Sequence, residues 1–111
     1  NNFALMAEAV TLATNAGIDP AMVPEALSGG YADSPMFRRF FPKMIERDFS
    51  PAGYARQVMK DLDMVLELAQ QTKTPVPMSN TAASLYRMLI AKGYSELDSI
   101  SVLKIYDNEP M

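Results

Sequence analysis

Apolar positions recur along this chain at the spacing of α-helices, and Gly and Pro residues separate them into six segments. We find no alternating pattern typical of a strand, no internal repeat and no low-complexity stretch. The sequence therefore predicts an all-α fold, a compact bundle of about six helices with short connections. The predicted helices cover residues 1 to about 16, 20–27, 34 to 40 or 41, 54–72, 78–92 and 98–107, and a further turn can begin at Pro42.

Helix ends are signalled by local chemistry. Gly17 suits the left-handed position that follows a helix, and Gly93 ends the fifth segment in the same way. Asp19 and Ser34 each precede a Pro, which is the order of an N-cap followed by the first helical turn.

The helical spacing also predicts which side chains face the core. The long fourth helix carries a broad apolar stripe, and the aromatic run of the third helix is expected to be buried. The residues predicted to face inward are Leu5, Val10, Leu12 and Ala13; Phe37, Phe40 and Phe41; Val58, Met59, Leu62, Val65, Leu66, Leu68 and Ala69; Ala82, Leu85, Tyr86, Leu89 and Ile90; and Ile100, Leu103 and Tyr106.

The first helix is predicted to start at the first residue, without an initiator Met or a capping residue outside it. The first four N–H groups of a helix need partners, so an uncapped start is typical of the remainder of a longer helix. We therefore expect this chain to be a piece of a larger protein, with a function that depends on a neighbouring segment.

Composition excludes several classes of function. A chain of 111 residues forms one domain with a modest core, and its net charge of -3 argues against a nucleic-acid partner. It contains no Cys and no His, so we expect no disulfide, no metal site and no histidine proton shuttle. No apolar run approaches the roughly 20 residues of a membrane span, and a cytoplasmic location fits the absence of cysteine.

Lys60 is the most notable charged residue. A Lys within so apolar a helix either extends to solvent or points into a cleft that uses its charge. Arg56 lies one turn earlier on the same face, so an anion between the two cations would relieve their repulsion. An ion pair with Asp61 or Asp63, or plain exposure, is the simpler explanation.

Two further positions carry polar groups of interest. Asn is a poor interior helix residue, so Asn1 and Asn2 are either a terminus or side chains retained for hydrogen bonding. Ser34 is most simply an N-cap. The chain has no glycine fingerprint of a nucleotide-binding loop.

An ordered set of short motifs, covering essentially the whole chain, resembles the C-terminal helical domain of β-hydroxyacid dehydrogenases. This family includes 3-hydroxyisobutyrate dehydrogenase and 2-hydroxy-3-oxopropionate reductase, and its helical domain is like that of 6-phosphogluconate dehydrogenase-type enzymes. The motifs are Asn1-Asn2, Glu8-Ala9, Leu12-Ala13, Ala16-Gly17-Ile18-Asp19, Gly30-Tyr31-Ala32-Asp33-Ser34, Arg47-Asp48-Phe49, Met59-Lys60-Asp61-Leu62, Val76-Pro77-Met78, Leu85-Tyr86, Gly93 and Asp98.

The resemblance implies that residues 1–111 are a substrate and dimerisation domain joined to an N-terminal Rossmann domain that binds NAD or NADP. Asn2 would bind the substrate and support catalysis, and Ser34 would bind the substrate and lie with its neighbours close to the interdomain cleft. Lys60 would reach the cofactor, or the substrate near the nicotinamide. The catalytic Lys would precede Asn1, so the chain alone is expected to be inactive. The substrate would be a small hydroxy acid, and the protein would form a homo-oligomer. The related 6-phosphogluconate dehydrogenases have His where Asn1 stands, which disfavours a sugar-phosphate substrate.

A second interpretation is a stand-alone helical interaction or oligomerisation module without catalysis. On that interpretation Asn1 and Asn2 are a terminus, Lys60 is a surface charge and Ser34 is only a cap.

Overall fold

The computed structural model describes residues 2–107, and all of its regular secondary structure is helical. An isolated antiparallel bridge between Tyr54 and Asp98 is the one extended pairing among these residues. The prediction of an all-α bundle of about six helices is confirmed. The elements are α1 Asn2–Asn15, α2 Met22–Leu27, α3 Pro35–Ile45, α4 Ala55–Thr72, α5 Pro77–Ala91 and a 3₁₀ helix Ser99–Tyr106.

The predicted caps account for several of these boundaries. Ser34 Oγ accepts a hydrogen bond of 3.0 Å from the backbone N–H of Phe37, which makes Ser34 the N-cap of α3. Gly17 and Gly93 follow α1 and α5 with φ of +78° and +94°, a conformation that costs glycine little. Local capping chemistry therefore located these ends correctly from the sequence.

Three elements differ from the prediction. α2 begins at Met22 with Ala21 as its N-cap rather than at Pro20, and Asp19 Oδ1 accepts from the N–H of Ala21 at 3.0 Å in the turn before the helix. α3 does not stop before Pro42 but continues to Ile45; Pro42 is exposed, and its carbonyl still accepts from the N–H of Glu46 at 3.0 Å. The last element is a 3₁₀ helix, in which the N–H of Ser101 bonds to the carbonyl of Asp98 at 2.9 Å.

This 3₁₀ helix lies at the centre of the fold, because α1, α3, α4 and α5 all pack against it. Ile100, Ser101 and Val102 are fully buried within it. The Tyr86 hydroxyl of α5 donates a 2.8 Å hydrogen bond to the carbonyl of Ser99 and so joins the two elements. The largest fully buried apolar side chains around it are Tyr86, Phe41, Met44 and Leu89.

The inward face of α1 was predicted only in part: Val10 and Ala13 are buried as expected, but two leucines are not. Leu5 and Leu12 are 65% and 72% exposed, although both were expected in the core. Small residues, mostly alanines, allow α1 to approach the 3₁₀ helix closely, so the larger leucines lie on the outside. The residues that α1 buries are Ala4, Met6, Ala7, Val10 and Ala13.

The stripe on α4 is narrower than predicted for a similar reason. Val65 and Leu68 are 44% and 60% exposed, while Met59 and Ala69 are buried. Because α4 packs mainly against α5 along one side, the outer part of its apolar stripe has no neighbour among residues 2–107. No helix in this range is both long and apolar enough to cross a membrane.

Candidate functional site

A cavity of about 420 Å³ lies between α1, α2, the loop of residues 28–34 and the start of α3. It brings together two residues that are far apart in the sequence and that were both predicted to bind substrate, Asn2 and Ser34. Most of the remaining wall is apolar, and a concave apolar site with a few polar groups is typical for small ligands. Its lining residues are Asn2, Leu5, Met6, Ala9, Val23, Leu27, Tyr31, Ala32, Ser34, Met36 and Phe37.

The two polar residues offer hydrogen-bond donors without a formal charge. Ser34 Oγ already accepts from the N–H of Phe37, so its own hydrogen stays available for donation. Asn2 is exposed at the first turn of α1, and its amide makes no hydrogen bond within residues 2–107. Such donors suit the hydroxyl or carboxylate oxygens of a small polar ligand.

A carboxylate fixes the loop that forms one side of this cavity. Asp33 Oδ2 accepts from the N–H of Gly29 at 3.0 Å, and Oδ1 accepts from Arg38 Nε at 2.9 Å. The Gly29 amide, followed by the Arg38 guanidinium, holds the pKa of the Asp33 carboxyl below its ordinary value. The loop is therefore tied to its own start and to α3.

A second cavity, of about 320 Å³, lies between α1 and α5 and also has Asn2 at its edge. Glu8 lines it, and Glu8 Oε2 accepts a long 3.4 Å hydrogen bond from the Tyr106 hydroxyl. A carboxylate in the wall repels an anionic ligand, whereas no acidic residue lines the cavity of Asn2 and Ser34. The latter is therefore the better site for an anionic ligand.

Lys60 lies on α4 and does not line the cavity that Asn2 and Ser34 share. Its side chain is exposed and forms no ion pair within the described part of the chain. Lys60 is therefore solvent-exposed, which was one of the two simpler explanations considered. Its charge is available to an external group.

The ion pair with Asp61 or Asp63 that was considered beside exposure is formed by neither Lys60 nor Arg56 among residues 2–107. Arg56 Nε bonds to Glu96 at 2.9 Å, and the guanidinium lies 4.6 Å from the centre of the Tyr54 ring. Asp63 instead pairs with Arg87 of α5 at 2.9 Å. Both partners belong to elements distant in sequence, and helical spacing alone could not indicate them.

The sequence analysis named the motif that contains Tyr31 and Asp33 but assigned no role to either residue. The signal available was the pair Gly29-Gly30 shortly before Asp33, which is typical of a tight loop closed by an acidic side chain. Asn1, which was expected to mark the hydroxy-acid branch, lies outside the described residues. No group of three or more carboxylates within residues 2–107 could hold a metal ion.

Residues 1–106 match the family described as "NAD-binding of NADP-dependent 3-hydroxyisobutyrate dehydrogenase". This match covers nearly all of the chain, including the segments that carry Asn2, Ser34 and Lys60.

Curated relatives with similar sequences are oxidoreductases. The chain is 30% identical over 105 residues to L-threonate dehydrogenase of Cupriavidus necator, covering 95% of this chain and 35% of the relative. It is 32% identical over 103 residues to 2-hydroxy-3-oxopropionate reductase of Escherichia coli, covering 93% of this chain and 35% of the relative. It is 33% identical to NAD-dependent L-serine dehydrogenase of Pseudomonas aeruginosa, covering 91% of this chain and 36% of the relative. The chain thus spans about a third of the length of these relatives.

A solved structure has the same fold. The crystal structure of 3-hydroxyisobutyrate dehydrogenase from Salmonella typhimurium superposes with a TM-score of 0.87 at 28% sequence identity. The superposition covers 94% of this chain and 36% of that structure.

Proposed function

This chain belongs to the family of NAD-binding domains of NADP-dependent 3-hydroxyisobutyrate dehydrogenase, among the β-hydroxyacid dehydrogenases, and on that premise we propose its role. It forms the C-terminal helical domain of an NAD(P)-dependent oxidoreductase that acts on a small β-hydroxy acid or its semialdehyde. The observation that carries the proposal is the cavity lined by Asn2 and Ser34, which offers neutral donors in an otherwise largely apolar wall.

The chemistry of such a reaction divides into parts that this chain supplies and parts that it does not. Oxidation of a hydroxyl needs a hydride acceptor, a base for the hydroxyl proton and donors that hold the substrate. When bound, NAD or NADP supplies the hydride acceptor. Asn2 and Ser34 supply donors that orient the substrate oxygens without adding charge.

Lys60 suits the cofactor better than the substrate. Its ammonium is exposed and has no carboxylate partner among residues 2–107, so its charge remains for an external anionic or electron-rich group. Most of the cofactor would be held by a Rossmann domain that precedes this one, because the chain has no glycine-rich phosphate loop.

The proton-transfer residue of the proposal is a Lys three residues before Asn1, on the continuation of α1. A Lys acts as an acid–base group when its surroundings lower its pKa. The coding sequence upstream of Asn1 provides a direct test: the proposal requires that Lys and, further upstream, a glycine-rich strand–turn–helix. A coding sequence without them would leave a helical interaction module as the better interpretation.

Kinetics of the full-length protein provide the second test. We expect Asn2→Ala to lower kcat/KM for the substrate, because a donor to the reacting molecule is lost. Asn15→Ala, at the other end of α1 and also exposed, is the matched control and should leave kinetics unchanged. Equal kinetics of the two variants would contradict the role of Asn2.

Lys60 has its own test in the same protein. We expect Lys60→Ala to raise KM for NAD or NADP more than KM for the hydroxy acid, whereas Lys73→Ala, an exposed Lys just after α4, should have no effect. The separate 111-residue chain should show no turnover, since it lacks both the proposed Lys and the dinucleotide loop. Measurable turnover by that chain alone would contradict the proposal that a preceding segment supplies the catalytic Lys and the dinucleotide loop.

Oligomer formation is part of the proposal and rests on exposed apolar side chains. Large apolar residues on α1, α4 and α5 lie in solvent, and exposed apolar surface of this kind favours association. Light scattering of the full-length protein should therefore give a mass above that of a monomer. The side chains concerned are Leu5, Leu12, Met64, Leu68 and Met78.

A further inference from the structure

Loop 28–34 has a fixed shape although it lies on the surface. Gly29 adopts φ of +79°, and Gly30 approaches Leu27 so closely that an added Cβ would lie 3.3 Å from the Leu27 carbonyl oxygen. The N–H of Asp33 bonds to the carbonyl of Gly30 at 3.1 Å, which closes a turn around Tyr31. The backbone on both sides of Tyr31 is therefore determined by hydrogen bonds.

The Asp33 carboxylate holds this turn at two points. It accepts from Gly29 at the start of the loop and from Arg38 on α3, and its side chain is only 9% exposed. Ser34, the next residue, caps α3 and lines the cavity. Asp33 thus connects the loop conformation to the wall that carries a proposed substrate donor.

Tyr31 lies at the tip of the turn and on the rim of the same cavity. Its side chain is fully exposed and makes no hydrogen bond within residues 2–107. A single exposed aromatic is ordinary on a protein surface, but here a rigid loop presents it beside an apolar cavity. An aromatic ring with a free hydroxyl can contact the apolar part of a ligand and bond to its polar end.

We propose that loop 28–34 selects the substrate, with Tyr31 as the specificity-determining side chain and Asp33 as the positioning residue that holds Tyr31 at the cavity rim. This inference rests on the proposed function, because it assumes that the cavity of Asn2 and Ser34 receives the hydroxy acid. It adds the residue that distinguishes one hydroxy acid from another.

The test compares four probes with the full-length protein: 3-hydroxyisobutyrate, L-threonate and L-serine with NAD or NADP, and the aldehyde 2-hydroxy-3-oxopropionate with NADH or NADPH, because the aldehyde has to accept a hydride. For the best of them, Tyr31→Ala should raise KM by about fivefold with little change in kcat, and should alter the kcat/KM ratio between an apolar and a polyhydroxylated probe. Tyr31→Phe, which keeps the ring, should retain the preference for the apolar probe.

Asp33→Asn should change the same kcat/KM ratio in the same direction. The NH₂ group of Asn replaces one of the two accepting oxygens and then faces another donor, so one of the two hydrogen bonds that hold the loop is lost. If Asp33 acts through Tyr31, the double variant should resemble Tyr31→Ala alone rather than the sum of the two changes. Asp48→Asn is the matched control: Asp48 also closes a surface loop, by accepting from Ser50, but it lies outside the loop of residues 28–34.

The outcomes separate the two levels of the argument. If the wild-type protein oxidises or reduces none of the four probes, the proposed function is overturned and this inference falls with it. If it is active but Tyr31→Ala keeps the wild-type KM and probe ratio, the inference alone is overturned. Fully additive effects of Asp33→Asn and Tyr31→Ala would remove Asp33 as the positioning residue. Because Tyr31 makes no hydrogen bond with the described residues, its variant remains informative even if Asp33→Asn folds poorly.

Discussion

Replacement of Asp98 by Asn should destabilise the fold strongly, because this one carboxylate joins two segments that are distant in sequence. Asp98 is 3% exposed. Its Oδ1 accepts from the N–H groups of Ala52 and Gly53 at 2.7 and 3.2 Å, and its Oδ2 accepts from Ile100 at 2.9 Å. The carboxylate therefore attaches the loop before α4 to the start of the central 3₁₀ helix.

The size of the effect follows from these three bonds. In Asp98→Asn one oxygen becomes an NH₂ group, so one backbone N–H then faces a donor and is left without an acceptor. An unsatisfied buried donor costs about 1–3 kcal/mol, and Asp98→Ala, which removes the acceptor of all three donors, should cost about 3–9 kcal/mol. A domain of this size has a total stability of about 5–15 kcal/mol, so the Ala variant should be close to unfolding.

Urea unfolding followed by circular dichroism measures the difference. We expect the midpoint of Asp98→Asn to fall with little change in the slope m, since the same surface is exposed on unfolding. Asp48→Asn provides the control, because Asp48 also accepts backbone and side-chain hydrogen bonds but is exposed, where water replaces what is lost. If the two Asn variants unfold at the same urea concentration, the assigned role of the buried carboxylate is refuted.

Three further predictions concern pH and backbone conformation. The Arg47 guanidinium lies 2.7 and 2.8 Å from the two Asp107 oxygens and holds the pKa of Asp107 below its ordinary value. The stability that this pair contributes is present at neutral pH and is lost as the pH falls through the lowered pKa. The free energy of unfolding that Arg47→Ala loses in urea should therefore be smaller in acid than at neutral pH. Burial, and secondarily the Asp98 charge, raises the pKa of Tyr86 above its ordinary value of 10.0. The free energy of unfolding should therefore fall as the pH rises above that value. Tyr86→Phe should remove this pH-dependent loss, and it should cost about 1 kcal/mol at neutral pH because the hydrogen bond to the Ser99 carbonyl is lost. Lys73 ends α4 with φ of 57°, so Lys73→Gly should raise the midpoint of thermal unfolding by relieving about 1 kcal/mol of backbone strain; a lower midpoint would contradict this.

The candidate site was predictable from the sequence only in part. Asn2 and Ser34 were identified as substrate residues from the family resemblance, and the structure places them in one cavity, although their role stays a prediction. Tyr31 was given no role, because its place beside the cavity is a tertiary feature that no local pattern indicates. The exposure of Lys60 was one of the alternatives drawn from the sequence. Its position outside the cavity of Asn2 and Ser34 could not be predicted, because it depends on how α4 packs in the fold.

The sequence by itself determined the order, number and approximate ends of the helices. Periodicity and capping act over one to four residues, so Gly17, Ser34 and Gly93 carry the information for their own surroundings. Tertiary structure decided which face of each helix is buried and which distant groups meet. It placed Leu5 in solvent and Ala7 in the core, and it gave Arg56 the partner Glu96. These outcomes depend on how closely two helices can approach each other. The distance of approach is set by the side chains of both helix surfaces together, so neither segment alone determines it.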